Sequence, residues 1–177
     1  MNSSNDITLA IYPNHRGMGY VICRNPKDII DYGVAYLKIL APNYYVKRLF
    51  KFISIYKPKL IILKDYGEGL YQVNSRVKKV ITTIEFEAFK EGLEVKRYSR
   101  SQMIQVFSQF GETNKFGISH TLSRWYPNLS HLVAPPRTDT TNENYYMGIF
   151  DAHALMCTHY SLSNPIQNND HESTNHK

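Results

Sequence analysis

Hydrophobic positions in this chain fall first into short runs and only later into helical stripes, and that order sets the expected architecture. Ile7, Leu9, Ala10 and Ile11 make a compact apolar run that breaks at Pro13-Asn14. A turn carrying Gly17 and Gly19 follows, the pattern resumes from Tyr20 to Cys23, and a third run spans Ile29 to Lys38 after Asn25-Pro26. Apolar runs joined by glycine-bearing turns predict a hairpin and a third strand, with the first strand central. From Pro42-Asn43 the period changes: Val46, Leu49, Phe50, Ile53 and Tyr56 recur at three- and four-residue steps, opposite Lys47, Arg48 and Lys51. This is one amphipathic helix. After Lys57-Pro58-Lys59, the continuous run Leu60 to Leu63 reads as a strand covered on both sides.

Helix and strand then alternate. Gly67 and Gly69 mark a loop, and Asn74 or Ser75 caps a helix that buries Val77, Val80, Ile81, Ile84 and Ala88 and closes at Gly92. Leu93 to Tyr98 alternates apolar and charged residues, as a strand near a sheet edge does. Ser99 starts a helix with Met103, Val106, Phe107 and Phe110 inward, and a shorter one runs through Ile118, Leu122 and Trp125 to Pro127. Residues 134 to 146 form a polar loop rich in breakers, Met147 to Tyr160 a last helix, and residues 161–177 a polar tail expected to be disordered. The order predicts an α/β domain over residues 1–160, a five-stranded mixed sheet with helices on both faces. A doubly wound sheet would alternate from its first strand.

At 177 residues and 42% hydrophobic content, one well-buried domain is the expectation. A net charge of +6 and a pI near 9.2 permit a polyanionic partner without requiring one. Cys23 and Cys157 lie far apart inside apolar runs, which predicts buried free thiols and neither a zinc site nor a disulfide framework. The polar start, Met-Asn-Ser-Ser-Asn-Asp, and the absence of any stretch near the roughly 18 apolar residues of a membrane span predict a soluble, cytoplasmic protein with no membrane partner.

Three segments carry a resemblance. Pro13, Arg16, Gly19 and Tyr20 surround the first turn. Tyr98-Ser99-Arg100 precedes Lys115-Phe116-Gly117-Ile118-Ser119-His120, and Asp151-Ala152-His153-Ala154-Leu155-Met156-Cys157-Thr158-His159 opens with Asp-Ala and closes with Thr-His. In this order, from Ile7 to about Tyr160, they are similar to the RuvC-type Holliday-junction resolvases, and the chain resembles a divergent member of that family. The resemblance implies a ribonuclease H-like fold, junction DNA as partner and a homodimer. It also implies two Mg²⁺ ions held by carboxylates of the first strand, the fourth strand and the last helix, which stabilise the attacking and leaving oxygens of phosphodiester cleavage.

Set against that pattern, the first carboxylate position holds Tyr12, whose phenol cannot bridge two cations as a carboxylate does. Asn14, two residues on, is a neutral oxygen donor. At the second position, the end of the Leu60 to Leu63 strand, the chain reads Lys64-Asp65. A one-residue shift brings Asp65 to the site, and without it Lys64 stands there and repels a cation. Asp151 matches the closing helix, while the acidic position three residues earlier is Gly148. Asp65 and Asp151 are therefore the candidate catalytic carboxylates and metal ligands, with Glu68 and His153 as further ligands. Against these stand a solvated strand-end Asp65 and a packed His153. Arg16, Arg100 and Lys115 are the candidate nucleic-acid contacts, and a basic position inside the preceding helix is Ile104 here.

Other cations, among them Lys47, Arg48, Lys51, Arg76, Lys78, Lys79, Lys96 and Arg97, would meet phosphates if clustered, with Tyr44, Tyr66 and Tyr71 as stacking surfaces. The leading expectation is a binder of branched or duplex DNA with a degenerate metal site and weak or no nuclease activity. A working Mg²⁺-dependent junction endonuclease using Asp65, Asp151 and a third ligand is the alternative. The last is a non-catalytic scaffold that presents Tyr44, Tyr45 and Trp125 to a protein.

Overall fold

The structure is a computed structural model and describes residues 6–14, 17–36, 41–67, 75–135 and 144–163. Three strands come first, β1 (Thr8–Asn14), β2 (Gly17–Asn25) and β3 (Asp28–Tyr36), and then β4 (Leu60–Asp65) and β5 (Glu94–Ser99). They form one sheet in the order β3-β2-β1-β4-β5, with β1–β2 and β2–β3 antiparallel and β1–β4 and β4–β5 parallel. The expected five-stranded mixed sheet therefore forms, with β1 at its centre and β5 at an edge.

Two details at the first turn differ from expectation. Pro13 lies inside β1 opposite Met18, and Gly17 and Gly19 belong to β2. Pro13 is tolerated because pairing with β4 stops at Ile11–Leu63, so the missing N–H costs the ladder nothing on that side.

Among the described residues, five helices cover the sheet: α1 (Pro42–Tyr56), α2 (Ser75–Lys90), α3 (Arg100–Ser108), α4 (Lys115–Trp125) and α5 (Met147–Ser163). Side-chain alternation along the strands divides the core in two. Leu9, Ile11, Ile61 and Leu63 pack against α1 and α2, whereas Ala10, Tyr12 and Ile62 pack against α3, α4 and α5. The buried face of α2 is the expected set, Val77, Val80, Ile81, Ile84 and Ala88, and Gly92 past its end adopts φ +72°, as a closing glycine does. Cys23 and Cys157 are free and buried on the α5 side. Burial pushes each thiol up to about 12.

Three helical expectations are corrected. On α1 the buried residues are Tyr45, Leu49 and Phe52, and Phe50 points out. The helix is rotated so that the Tyr45 hydroxyl donates to Asn14 O and Gly17 O, both at 3.2 Å, at the first turn. Phe110, expected inward, lies beyond the end of α3, half exposed and edge-on to Trp125. The last helix runs to Ser163, three residues past the expected boundary at Tyr160. A short 3₁₀ segment at Pro127–Leu132, unforeseen, buries Leu129 and Leu132. Residues 164–177 lie outside the described residues. Among the described residues, no helix is long and apolar enough to cross a membrane.

Candidate functional site

The carboxyl ends of β1, β4 and β5 and the first turns of α3, α4 and α5 meet at one end of the sheet. Strand alternation selects which side chains enter. Tyr12 follows Ala10 on the α5 side of β1, and Lys64 follows Ile62 on the same side of β4. The Lys64 ammonium donates to the Tyr12 hydroxyl at 3.0 Å and lies 5.1 Å from the Tyr12 ring centroid and 4.3 Å from that of Tyr66. From the other side, Lys115, the first residue of α4, donates Nζ to Asp151 Oδ2 at 2.9 Å and lies 5.4 Å from the Tyr12 ring. The Asp151 side chain is buried, 5% exposed, whereas that of Lys115 is 36% exposed. The Tyr66 phenol is pushed up, first by burial and then by the Asp151 charge. Its hydroxyl donates to Pro13 O at 3.4 Å.

The approach of α5 to this cluster depends on Gly19. A Cβ on Gly19 would lie 1.9 Å from Gly148 O, so only a hydrogen at that position lets the first turn of α5 rest on β2. A Cβ on Gly148 would lie 3.4 Å from Asn14 Nδ2 and from Gly19 Cα and N, ordinary contact distances. Asn14 Oδ1 accepts from Gly17 N at 3.1 Å.

The remaining expected site residues scatter. Asp65, expected beside Asp151, shares the parity of Ile61 and Leu63 and lies on the α2 face, where it lines a cavity of about 310 Å³ with Lys78, Thr82 and Arg97. Its Oδ1 accepts from Gly67 N at 2.9 Å, and no register shift in β4 brings it across. His153, read as either a ligand or a packed residue, is packed. It is 1% exposed, sits against the rings of Tyr32 and Tyr126, and donates from Nδ1 to Ile149 O at 3.0 Å. Burial lowers its pKa to about 4. Two residues from Asp151 is roughly 200° around a helix, which turns the ring away from the cluster. Arg100 opens α3 at the rim and donates to Thr113 O at 3.4 Å. Arg16 and Glu68 lie outside the described residues.

Lys64 takes the second position, as the unshifted reading of the strand had it. The signal for it was parity: if Ile62 faces α5, so must Lys64.

Among the described residues, this cluster offers fewer than the several oxygen ligands in near-octahedral array that Mg²⁺ requires. The carboxylate here is bonded to one ammonium and the phenol to another. Among the described residues, no group of three or more His, Cys, Asp or Glu side chains is placed to hold a metal ion. Of the cations considered for nucleic acid, Lys96 is paired with Glu94 and Arg97 with Glu85.

No family model matches the chain and no curated protein matches it by sequence. Solved structures do match. Thermus thermophilus RuvC superposes with a TM-score of 0.60 at 15% identity, over 89% of this chain and 95% of that one. The same protein in complex with a Holliday junction substrate gives 0.57 at 16% identity, over 89% and 94%. The yeast mitochondrial Holliday junction resolvase gives 0.58 at 9%, over 87% and 77%. Sheet order, helix placement and these superpositions together show that the chain shares the α/β, ribonuclease H-like fold of these proteins.

Proposed function

We propose that this protein binds DNA, branched or duplex, at the strand-end surface around Lys64 and Lys115, with a degenerate metal centre and weak or no nuclease activity. One observation carries the reading: where the resemblance expects carboxylates on the first and fourth strands, this chain has Tyr12 and Lys64, bonded to each other, and Asp151 of the last helix is bonded to Lys115. An ion at such a centre stabilises a transition state by several kcal/mol, and each ~1.4 kcal/mol is tenfold in rate. The first turns of α3 and α4 add partial positive charge at the same end, which suits phosphate. Arg100 and Lys115, with Arg16, are the contacts proposed for the backbone. The test is binding to a four-way junction and to matched duplex at two salt concentrations, with and without Mg²⁺, with the products run on a denaturing gel. Salt-sensitive binding without cleavage is the expected result. Mg²⁺-dependent cleavage abolished by Asp151→Asn would overturn it in favour of a working junction endonuclease.

Protein interaction, including pairing into a homodimer, is the second reading. Phe86 and Phe89 are 60% and 77% exposed and border a groove with Leu93 and Val95 of the sheet edge. Tyr44 and Trp125 are exposed as well, whereas Tyr45 is buried and leaves that set. Sedimentation velocity should show a concentration-dependent dimer that Phe89→Ser weakens. A monomer at every concentration would remove the homodimer.

A further inference from the structure

We infer that Tyr36, Tyr145 and Tyr146 form a stacking platform for an unpaired nucleobase, so that DNA with unpaired nucleotides is bound in preference to continuous duplex. The inference rests on the DNA-binding reading and supplies what that reading leaves open, the form of the nucleic acid.

The three rings come from two places in the sequence. Tyr36 is the last residue of β3 and pairs across the sheet with Gly17, which has no side chain to cover it. Tyr145 and Tyr146 stand immediately before α5. Their turn is fixed locally: Tyr146 N donates to Asn144 Oδ1 at 2.7 Å, and the N–H groups of Met147 and Ile149 donate to Asn144 O and Tyr146 O at 3.1 and 2.9 Å. The Tyr36 and Tyr145 ring centroids are 6.4 Å apart with the planes tilted by 44°. Those of Tyr145 and Tyr146 are 5.2 Å apart and nearly perpendicular. In neither pair do the rings stack face to face, so the cluster leaves ring faces to solvent.

Tyr36, Tyr145 and Tyr146 are 57%, 39% and 42% exposed. Set against the 150–250 Å² or so that an aromatic side chain carries, this is on the order of 250 Å² of open aromatic surface. A stable protein interface takes about 800 Å² per partner. The patch is too small for that, whereas a base needs one ring face and every base has a π-face to offer.

Position supplies the second argument. Gly17, opposite Tyr36, is also opposite Asn14 at the end of β1, so the platform stands at the end of the sheet where DNA is proposed to bind. Tyr146 precedes Asp151 by five residues, about 7.5 Å along a helix axis and roughly the rise of two stacked nucleotides. Inside a duplex the faces of the bases are already stacked on their neighbours. A nucleotide outside the duplex offers its face without that cost.

The experiment is fluorescence anisotropy of the full chain with a labelled single strand, a forked duplex with unpaired arms and a matched duplex, across a salt series. The proteins are wild type, Tyr36→Leu, Tyr145→Leu, the corresponding Phe variants, and Phe110→Leu, which alters an exposed ring beyond the end of α3. Wild type should bind the single strand and the fork more tightly than the duplex. Each Leu variant at positions 36 and 145 should lose roughly 5- to 10-fold on those two, with duplex affinity and salt slope unchanged. The Phe variants and Phe110→Leu should bind as wild type does. Recovery by Phe separates a lost ring face from misfolding. Leu variants that bind the single strand fully, or lose equally on the duplex, would overturn the platform and leave DNA binding standing. So would Leu variants that keep their DNA affinity and sediment as a smaller species, which would assign the rings to a protein contact. Absence of binding to any of the three DNAs at low salt would overturn both readings.

Discussion

At the scale of single residues, the tightest constraint is the contact between Gly19 and Gly148, where any side chain at Gly19 collides with helix backbone that has no flexible end to yield. Gly19→Ala should therefore destabilise by about 2–4 kcal/mol in a urea melt, while Gly148→Ala, whose added carbon meets its neighbours at 3.4 Å, should cost far less. His153 gives a pH signature. Its folded pKa of about 4 lies below the ordinary 6.5, so the neutral ring's contribution is complete above 6.5 and is lost as pH falls from there toward 4. The loss is on the order of 3 kcal/mol, and thermal melts at pH 7 and 4.5 should converge in His153→Gln. Burial also lowers His159 and adds in the same direction. Residue identity was legible where a side chain's type excluded a role, as for Tyr12. It was not legible for Asp65, because which of two adjacent residues faces a site depends on the parity of the whole strand.

At the scale of elements, legibility followed how many sides of a segment are covered. The stripe of α2 was readable because one face meets the sheet and the other meets water. α5 shows no stripe at all: Gly148 to His159 are buried on every side, between the sheet and the helices α3 and α4. Its ends and orientation had to come from the Asp-Ala and Thr-His motifs. On α1, aromatic residues at 45, 50 and 52 gave two nearly equal faces, and hydrogen bonds from Tyr45 to the first turn decided between them. The start of α3 was readable for a local reason. Ser99 accepts from Gln102 N at 3.2 Å while the Gln102 side chain accepts from Ser99 N at 2.8 Å, a reciprocal cap. Ser99→Ala should cost about 1 kcal/mol of stability in chemical denaturation, with little change in the native circular dichroism spectrum.

At the scale of the whole molecule, the sheet order followed from three strands preceding any helix, but the charge arrangement at the strand ends did not. Sequence distance hides that Tyr12, Lys64, Lys115 and Asp151 converge, since parallel pairing of β1 with β4 and the packing of α4 on α5 bring them together. If the ammonium and the phenol are what exclude divalent ions, replacing them should readmit one. Tyr12→Asp/Lys64→Glu should gain a Mn²⁺-dependent rise in melting temperature that wild type lacks, since a ligand bound only by the native state stabilises it. No rise in the double variant would mean that the fold, and not these two side chains, keeps ions out.

The two buried cysteines make the native protein its own clock. With both thiols pushed up to about 12 and enclosed between β2 and α5, almost no thiolate is available to a reagent at neutral pH while the core is closed. Modification by a thiol reagent therefore proceeds only through openings that part the last helix from the sheet. Its rate counts those openings, with no label introduced, and does so for every variant that leaves Cys23 and Cys157 in place.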